Sequence, residues 1–457
     1  MTIRRVLIAN RGEIAVRIIR TCRELGLETV LAASEADRDS VPARLADRTV
    51  CIGPAPASES YLRAATIVQA ARGVGADAIH PGYGFLSERA AFAQLCEEQG
   101  VIFIGPTAAQ LQAVGDKLRA RAVAQAAAVP VVPGGEVESA ESAQLLGRKL
   151  GAPLLVKAVG GGGGRGLKRV EKLEDLSAAL ELAAAEAGAA FGDARVYLER
   201  FVSGGRHVEV QVLGDGAGRM IHLGERDCSV QRRYQKLLEE TPAPGLSPDL
   251  RVRLHEAAVR FAASIAYRGA GTVEFLVDVA RDEFYFLEMN ARIQVEHPIT
   301  EMVTGVDIVA EQLAIANGTG LRLSQDEIVA RGCAIECRVN AEDPTRDFQP
   351  SPGVVSAVSW PTGEGIRVDT HIESGSRVPP FYDSLLAKII VWAEDRNGAL
   401  TRLRAALAQT RVAGIATNLP FHAAVLGDAE FQHGGVDLGF AARLFARASA
   451  PMQVAHG

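Results

Sequence analysis

The chain has 457 residues, of which 48% are hydrophobic and 23% are charged, and its formal net charge is −6. This length and composition fit a globular protein of about three structural units. The negative balance argues against a nucleic-acid-binding protein, which normally carries a basic field. No run of about 18 apolar residues predicts a membrane span.

The first segment, residues 1–130, alternates strand-like and helix-like stretches. The helix predicted at 12–25 has apolar side chains at helical spacing. The predicted strands are residues 6–9, 29–33, 76–79 and 101–104. This alternation predicts a parallel sheet covered on both faces. The first strand–helix turn, at residues 10–14, lacks G-x-G-x-x-G, which argues against an NAD site.

Residues 131–203 are predicted to form a separate small unit, because proline and glycine at 130–135 are typical of a hinge. Within it we expect strands at 154–158 and 196–198 and an Ala-rich helix at about 174–190. Residues 204–330 form the third unit, with a helix at about 249–267. Its predicted strands are 207–213, 220–225, 271–277 and 283–289. Residues 331–446 alternate β-rich and helical stretches, and residues 447–457 are predicted to be a tail.

A run of five glycines follows Lys157, at the end of a predicted strand. Such a run destabilises regular structure but allows backbone N–H groups to approach phosphate oxygens. It is not a Walker A loop, because no Gly-Lys-Ser/Thr follows. A phosphate-binding loop is therefore favoured over a flexible surface loop.

Two polar strand faces stand out further along the chain. His207, Glu209 and Gln211 alternate with valines, and a solvated strand face is the simpler interpretation of that segment alone. Glu288 and Asn290 also share one side of a strand, and if the chain stays extended, residues 292, 294 and 296 continue that side. Two carboxylates, including Glu274, and one amide oxygen are a set suited to Mg²⁺ or Mn²⁺.

In the charged stretch at residues 226–240, Arg232 and Lys236 could be anion ligands, but alone the stretch is more typical of a solvated surface. The six cysteines form no C-x-x-C pair and fit reduced thiols better than disulfides or a zinc site. The N-terminus lacks the pattern of a signal peptide, so we expect a cytoplasmic protein.

Several strings together resemble the biotin carboxylase family, and the resemblance covers residues 3–446 in order. The strings are IANRGEIAVRIIR (8–20), HPGYGFLSE (80–88), FIGP (103–106), GDK (115–117), KAVGGGGGRG (157–166), ERDCSVQRRYQK (225–236), EMNARIQVEHPITEMVTG (288–305), ECRVNAEDP (336–344) and PPFYDSLLAKII (379–390). The EMN-x-R-x-QVEHP string is specific to biotin-dependent carboxylases, whereas other ATP-grasp ligases share only the fold.

The resemblance implies a mixed α/β and α+β chain with an ATP-grasp fold. Its parts would be a Rossmann-like N-terminal domain, a mobile lid, a catalytic core and a C-terminal biotin carboxylase domain. The implied reaction uses ATP and bicarbonate to carboxylate biotin through carboxyphosphate. In an acyl-CoA carboxylase this is the first half-reaction, with malonyl-CoA formation for fatty acid synthesis as the favoured pathway.

The resemblance also implies roles for individual residues. ATP would contact Lys117, Lys157, Gly163, Gly164, Glu199, Arg200, Phe201, Val202, His207, Gln231 and Tyr234. Two Mg²⁺ or Mn²⁺ ions would be held by Glu274, Glu288 and Asn290. Bicarbonate and biotin would bind Lys236, Arg292, Gln294, Val295 and Arg338. Glu296 would be the general base, and the catalytic set would be Lys236, Arg292, Glu296 and Arg338.

The chain departs from the family pattern at Tyr234, where the family has histidine in an R-H-Q-K string. Tyrosine keeps a ring and a hydroxyl but cannot carry positive charge. We therefore expect altered nucleotide contact with catalysis retained.

The chain contains no A-M-K-M biotinyl-lysine string. Biotin is therefore expected on a separate carrier protein, with carboxyl transfer on other subunits. The resemblance also implies a homodimer, through the helix that carries Arg20 and Glu24 and the region near Trp360. Two other functions stay open: an ATP-grasp ligase for a different acid, and a non-catalytic nucleotide-binding relative. The second would lack a metal-binding or base residue, and none is missing.

Overall fold

The N-terminal part is a parallel five-stranded sheet, in a computed structural model that describes residues 2–137, 139–159 and 167–449. Its strands are β1 (Arg5–Ile8), β2 (Glu28–Ala33), β3 (Arg48–Cys51), β4 (Ala78–His80) and β5 (Ile102–Phe103). Its helices are α1 (Gly12–Glu24), α2 (Val41–Leu45), α3 (Ala64–Gly73), α4 (Ala90–Glu98), α5 (Ala108–Gly115) and α6 (Lys117–Ala126).

The strand order β3-β2-β1-β4-β5 is that of a doubly wound sheet. Successive residues of β1 enter different cores, because side chains alternate across a strand. Leu7 packs on one face of the sheet and Ile8 on the other, and both are fully buried. The predicted parallel sheet with two covered faces is confirmed.

The second unit is an antiparallel sheet in the order β6-β9-β7-β8. Its elements are β6 (Gly134–Glu136), α7 (Ala140–Leu150), β7 (Leu154–Ala158), β8 (Leu167–Val170), α8 (Leu176–Phe191) and β9 (Val196–Arg200). Leu154, Val156 and Leu198 form its small core with Leu176 of α8. The glycine run between β7 and β8, with the predicted phosphate-binding residues Gly163 and Gly164, lies outside the described residues.

The remaining strands build an antiparallel eight-stranded sheet in the order β14-β13-β10-β11-β12-β15-β22-β20. The elements up to residue 330 are β10 (Arg206–Asp215), β11 (Met220–Arg232), β12 (Gln235–Thr241), α9 (Pro248–Ser264), β13 (Arg268–Asp278), β14 (Glu283–Asn290), α10 (His297–Thr304) and α11 (Ile308–Ala316). The later strands are β15 (Cys333–Asn340), β16 (Glu342–Asp343), β17 (Gln349–Pro350), β18 (Gly353–Val354), β19 (Ala357–Ser359), β20 (Ile366–Thr370), β21 (Arg377–Val378), β22 (Leu385–Ala393) and β23 (Arg411–Ala413). The later helices are α12 (Arg396–Gln409), α13 (Leu419–Gly427), α14 (Ala429–His433) and α15 (Phe440–Ser449).

This sheet is continuous across residue 330, where the sequence suggested a boundary between two units. Strand β12 pairs with β15 over four residue pairs, among them Leu238 with Cys337 and Glu239 with Glu336. Helix α9 covers part of it and begins at a clear signal: Ser247 accepts a hydrogen bond from the Leu250 backbone, and Pro248 follows directly. In the part of the chain that the structure describes, no helix is both long and apolar enough to cross a membrane.

The charged stretch at 226–240, which alone is typical of a solvated surface, differs most from that interpretation. It is neither solvated nor irregular, because β11 extends through Arg232 and β12 returns from Gln235, and most of the side chains between 225 and 231 are buried. The predicted strand ended at 225, because charged residues usually face water. In this stretch the charged residues instead lie next to charged residues of the neighbouring strands.

Candidate active site

Cross-strand register brings three carboxylates into one row on the eight-stranded sheet. Glu209 of β10 lies opposite Glu274 of β13, and Glu274 lies opposite Glu288 of β14. Directly opposite residues of an antiparallel pair point to the same face. Glu209 is fully buried and Glu274 is 6% exposed, so the polar face on β10 is an interior surface and not a solvated one.

Arg226 of β11 neutralises the deepest part of this row. Its Nε donates to Glu209 Oε1 at 2.6 Å, and its Nη1 donates to Gln211 Oε1 at 2.8 Å and to Thr300 Oγ1 at 2.9 Å. The guanidinium is fully buried, and unpaired buried charge is costly. Arg226 therefore holds the side chains of Glu209 and Gln211 in place.

Lys236 joins the two polar strand faces predicted from the sequence. Its Nζ donates to Glu209, to Glu274 Oε1 at 2.9 Å and to Glu296 Oε1 at 2.8 Å. Burial opposes its charge, but the attraction of these carboxylates outweighs burial and raises the pKa of the ammonium well above its ordinary value. Lys236 is thus a fixed positive charge at the centre of the acidic row.

Glu296 is fully buried and lies between two cations. Its Oε1 accepts from Lys236, and its Oε2 accepts from Arg338 Nη2 at 2.8 Å. Burial alone would raise the pKa of this carboxyl, but Lys236 and Arg338 outweigh burial and lower it. Glu296 is therefore ionised at neutral pH and can accept a proton.

The chain between β14 and α10 corrects one expectation. The extended strand ends at Asn290, so alternation does not continue to residue 296. The segment instead turns into α10, where His297 Nδ1 contacts the Gln294 carbonyl at 2.8 Å and Pro298 occupies the first helical turn. Proline fits a helix start but not a continued sheet strand.

The predicted bicarbonate-binding side chains nevertheless converge. Arg292 Nη2 donates to Asn290 Oδ1 at 2.8 Å, and its Nη1 donates to Gln294 Oε1 at 2.9 Å. Gln294 Nε2 donates in turn to Glu274 Oε1 at 3.2 Å. Local turn geometry, rather than strand alternation, brings them together.

Glu274, Glu288 and Asn290, the predicted ligands of a divalent cation, lie side by side on β13 and β14. Asn290 Nδ2 donates to Glu274 Oε1 at 2.8 Å, and in the described residues no hydrogen bond engages the Glu288 carboxylate. Burial and the neighbouring charge of Glu274 raise the pKa of Glu288, against the opposing effect of Lys117. Two adjacent carboxylates, of which Glu288 is half-buried and has no hydrogen-bond partner in the described residues, fit Mg²⁺ or Mn²⁺, provided the Asn290 amide turns its oxygen toward them.

Arg338 of β15 reaches the site from the C-terminal part of the chain. Besides Glu296, its Nε donates to Glu239 Oε1 at 2.6 Å. Burial opposes its charge, but Glu239 and Glu296 outweigh burial and raise the pKa of the guanidinium. A permanently charged, forked donor fits a developing oxyanion.

The predicted nucleotide-binding residues fall into two groups. Lys157 Nζ and Glu199 Oε2 are 2.5 Å apart in the second unit, where Arg121 also contacts Glu199 at 3.1 Å. His207 contacts Gln231 at 2.9 Å and Glu274 Oε2 at 3.2 Å beside the acidic row. A cleft of about 530 Å³, lined by Glu88, Lys117 and Val159 among others, opens beside the end of β7.

The other predicted nucleotide contacts are less enclosed. The Arg169 guanidinium lies 4.1 Å from the centre of the Phe201 ring, Arg200 contacts the Tyr285 hydroxyl, and Val202 is buried. Tyr234 is 55% exposed at the two-residue turn between β11 and β12, and its φ is +65°. In the described residues it makes no side-chain hydrogen bond with the acidic row.

Sequence reasoning assigned no role to Glu88, Arg226 or Glu239, although each holds a predicted site residue. Glu88 Oε2 accepts from Arg292 Nε at 3.0 Å, and Glu88 Oε1 accepts from the Ala291 backbone at 2.8 Å. Glu88 and Arg226 lie within the strings HPGYGFLSE and ERDCSVQRRYQK. That location was the available signal for both residues. Glu239 lies outside every string, although within the charged stretch at 226–240, and its contact with Arg338 is seen only in the structure.

Three family models match the chain in sequence order. They are described as "Biotin carboxylase, N-terminal domain" at residues 2–111, "Carbamoyl-phosphate synthase L chain, ATP binding domain" at residues 116–324, and "Biotin carboxylase C-terminal domain" at residues 336–443. Biotin carboxylase of Pseudomonas aeruginosa is 52% identical over 437 residues, covering 95% of this chain and 97% of that protein. Biotin carboxylase of Nostoc sp. is 50% identical over 438 residues, covering 95% and 98%.

Solved structures agree in fold over nearly the whole chain. The biotin carboxylase–β,γ-ATP complex from Campylobacter jejuni has a TM-score of 0.93 at 46% identity, covering 96% of this chain and 99% of that chain. The biotin carboxylase domain dimer of Hydrogenobacter thermophilus 2-oxoglutarate carboxylase, with MgADP, ADP and bicarbonate, has a TM-score of 0.92 at 45% identity, covering 97% and 98%. The mixed α/β architecture described above is therefore shared with both.

Proposed function

This chain belongs to the biotin carboxylase family, and we propose that the row of buried charges around Lys236 and Glu296 is its catalytic site. Its activity is the ATP-dependent carboxylation of biotin, with bicarbonate as the carboxyl source. The roles of individual residues below are our proposal. The observation that carries them is Glu296, a buried, ionised carboxylate held between Lys236 and Arg338.

Bicarbonate is proposed to bind beside Glu296, on Lys236, Arg292, Gln294 and the Val295 backbone. Two of these side chains are cationic, which suits an anion in a buried site. Glu296 then removes the bicarbonate proton, because it is ionised and lies next to the proposed binding groups. Arg292 is held for this task by Glu88 at 3.0 Å.

ATP is proposed to extend from the second unit to the acidic row. Lys117 and Lys157 would bind its phosphates, with Gly163 and Gly164 covering them. Glu199, Arg200, Phe201 and Val202 would line the adenine site, and His207, Gln231 and Tyr234 would contact the nucleotide. Glu274, Glu288 and Asn290 would hold two Mg²⁺ or Mn²⁺ ions, whose contribution is to offset negative charge on the triphosphate.

Transfer of the γ-phosphoryl group to bicarbonate gives carboxyphosphate, which must be kept from water. Its breakdown releases CO₂ and phosphate, and that phosphate can take the N1′ proton of biotin. Arg338 is proposed to stabilise the resulting biotin oxyanion. Its guanidinium is 16% exposed as a side chain, so it can meet an incoming ring without leaving Glu239.

Partners and location form a second part of the proposal. The H. thermophilus structure is described as a dimer, which supports a homodimer here. The proposed interface contains the face of α1 that carries Arg20 and Glu24, together with the region near Trp360. Arg20 lies 3.5 Å from Asp369. We propose that biotin arrives on a separate carrier protein, that separate carboxyltransferase subunits follow, and that the protein acts in the cytoplasm. Its free cysteines, most of them buried, support a reducing compartment.

An acyl-CoA is proposed as the final carboxyl acceptor, with acetyl-CoA and malonyl-CoA formation as the first candidate. Structures of carboxylase units from 2-oxoglutarate carboxylase and pyruvate carboxylase match this chain as well. The acceptor therefore depends on the transferase partner and not on this site. We propose that the chain is organised as units 1–130, 131–203, 204–330 and 331–446, followed by a tail at 447–457.

The proposal is tested by ADP release with bicarbonate, measured with and without free biotin. We expect biotin to stimulate ADP release, and Glu296→Ala to abolish the stimulation. An exposed variant on another element, Glu256→Ala, is the control. Bicarbonate-dependent ADP release without any biotin effect would favour an ATP-grasp ligase for another acid, and no turnover would favour a nucleotide-binding relative.

A further inference from the structure

We infer that Lys388 is a positioning residue for the bicarbonate step, because its buried ammonium holds the backbone next to the catalytic base. The inference rests on the proposed function, since only there do Val295 and Glu296 act on bicarbonate. It concerns two segments, residues 8–20 and 379–390, that carry the family resemblance without any assigned role.

The geometry around Lys388 is closed and specific. Lys388 lies on β22, is fully buried, and is the cross-strand neighbour of Arg338. Its Nζ donates to the Val295 carbonyl at 2.9 Å and lies 3.0 Å from Glu13 Oε2. Asp369 Oδ2 is farther away, at 3.9 Å.

A lysine at this position is costly unless it does something that an apolar residue cannot do. Lys388 itself is fully buried, and Ile390, two positions along the strand and therefore on the same face, is fully buried and apolar. A charged group in such surroundings needs a partner, and Glu13 on α1, 2% exposed, provides it. A packed hydrophobic pair at these two positions would often be as stable. Stability alone therefore does not explain the pair.

The hydrogen bond from Lys388 to the Val295 carbonyl does explain why a buried lysine is present here. After β14 ends at Asn290, the chain has no ladder partner until α10 begins at His297. Buried backbone groups in such a segment need partners among nearby backbone groups, side chains or water. Lys388 satisfies the carbonyl of Val295, and so fixes the peptide group that joins Val295 to Glu296.

Loss of this bond has a selective consequence. The turn that presents Gln294, Val295 and Glu296 would lose one anchor, whereas Lys117 and Lys157 would be untouched. Bicarbonate binding and its deprotonation should suffer, and ATP binding should not. If Lys388 only stabilised the fold, its loss would change both bicarbonate and ATP binding, or neither.

Glu13 supplies a matched control, because it neutralises Lys388 without contacting the turn. Besides Lys388, it accepts a hydrogen bond from the Tyr83 hydroxyl. Glu13→Gln leaves Lys388 able to donate to Val295. Glu13→Gln/Lys388→Met removes both charges and also the donor, and so avoids stranding a buried carboxylate.

The experiment compares these two variants with the wild-type enzyme in ADP release with free biotin. We expect the double variant to raise the KM for bicarbonate about tenfold, equivalent to about 1.4 kcal/mol, while the KM for ATP stays within about twofold. Glu13→Gln should raise the KM for bicarbonate less than about twofold. Equal bicarbonate KM values in the two variants overturn the inference, as does a parallel rise in both KM values.

Thermal melting shows whether each variant folds. If the Met double variant does not fold, Glu13→Gln/Lys388→Gln keeps a polar but shorter side chain, and the same rise in the bicarbonate KM is expected. Failure of the proposed function would be recognised by a different result. In that case Glu296→Ala would retain biotin-stimulated turnover.

Discussion

Arg338 donates to Glu296 at 2.8 Å, so the cation proposed for the biotin step is bonded to the base proposed for the bicarbonate step. The same guanidinium donates to Glu239 at 2.6 Å. One residue from the C-terminal part of the chain therefore links two carboxylates at the site. The forked geometry of arginine makes this possible, whereas lysine offers a single point charge.

Arg338→Lys should impair the biotin step more than the bicarbonate step. The ammonium cannot span Glu239 and Glu296 and also meet biotin, so we expect biotin-stimulated turnover to fall at least about 30-fold, or about 2 kcal/mol. ADP release without biotin should fall much less. Arg396→Lys is the matched control, since Arg396 binds Glu240 on the same strand as Glu239. Equal losses in the presence and absence of biotin would contradict the assignment.

Glu288→Gln should weaken the use of the divalent cation. The amide keeps the shape of the side chain but removes the charge that the cation would offset. We expect the Mg²⁺ concentration for half-maximal ADP release to rise at least about tenfold. Glu256→Gln, exposed on α9, is the control. An unchanged Mg²⁺ dependence would remove Glu288 from the metal site.

Tyr234→His should lower the KM for ATP. Histidine adds a ring nitrogen that can donate to the nucleotide and can carry positive charge. Since Tyr234 is exposed and at positive φ in either case, folding should be little affected. We expect a two- to fivefold decrease, about the effect of one modest hydrogen bond. Tyr234→Phe serves as the comparison, and an ATP KM that is the same in the histidine variant and the wild type would show the prediction to be wrong.

Glu225→Gln should destabilise the protein in a pH-dependent manner. Burial would raise the pKa of Glu225, but His255 and Arg251, both 2.7 Å away, outweigh burial and lower it to about 2. A lowered pKa stabilises the folded state above the unfolded value of about 4.5, and that contribution is lost as the pH falls toward 2.

We therefore expect Glu225→Gln to lower the free energy of unfolding by up to about 3 kcal/mol at pH 7. The difference from the wild type should shrink as the pH is lowered to 3. Denaturant unfolding across this range measures it, with exposed Glu256→Gln as the control. A difference that stays constant with pH would mean that the carboxylate charge of Glu225 is not responsible.

The sequence predicted regular elements well wherever apolar residues marked them. Strand β7 was expected at 154–158 and has those bounds, because all its residues except Lys157 are apolar and a glycine run follows in the sequence. Helix α9 was expected at 249–267 but ends at Ser264, and β13 already begins at Arg268. Only tertiary pairing of β13 with β10 decides that boundary.

The site was harder to predict because its charges are buried against one another. Arg226 and Asp227 are typical of a surface when considered alone, yet Arg226 is fully buried against Glu209, which lies 17 positions earlier. Such pairs depend on strand order, which local sequence does not encode. The family strings supplied candidate residues, but the convergence of Arg292, Gln294 and Glu296 comes from the turn before α10 and not from the alternation first expected.

The pairing of β12 with β15 makes the two halves of the chain depend on one another for folding. A fragment cut at residue 330 would expose the backbone N–H and C=O groups of β12 along a bare edge, and its complement would expose those of β15. Unpaired edge strands form hydrogen bonds with strands of other molecules, so each fragment made alone should aggregate. Co-expression of the two fragments, by contrast, should allow them to reassemble along that seam and recover turnover.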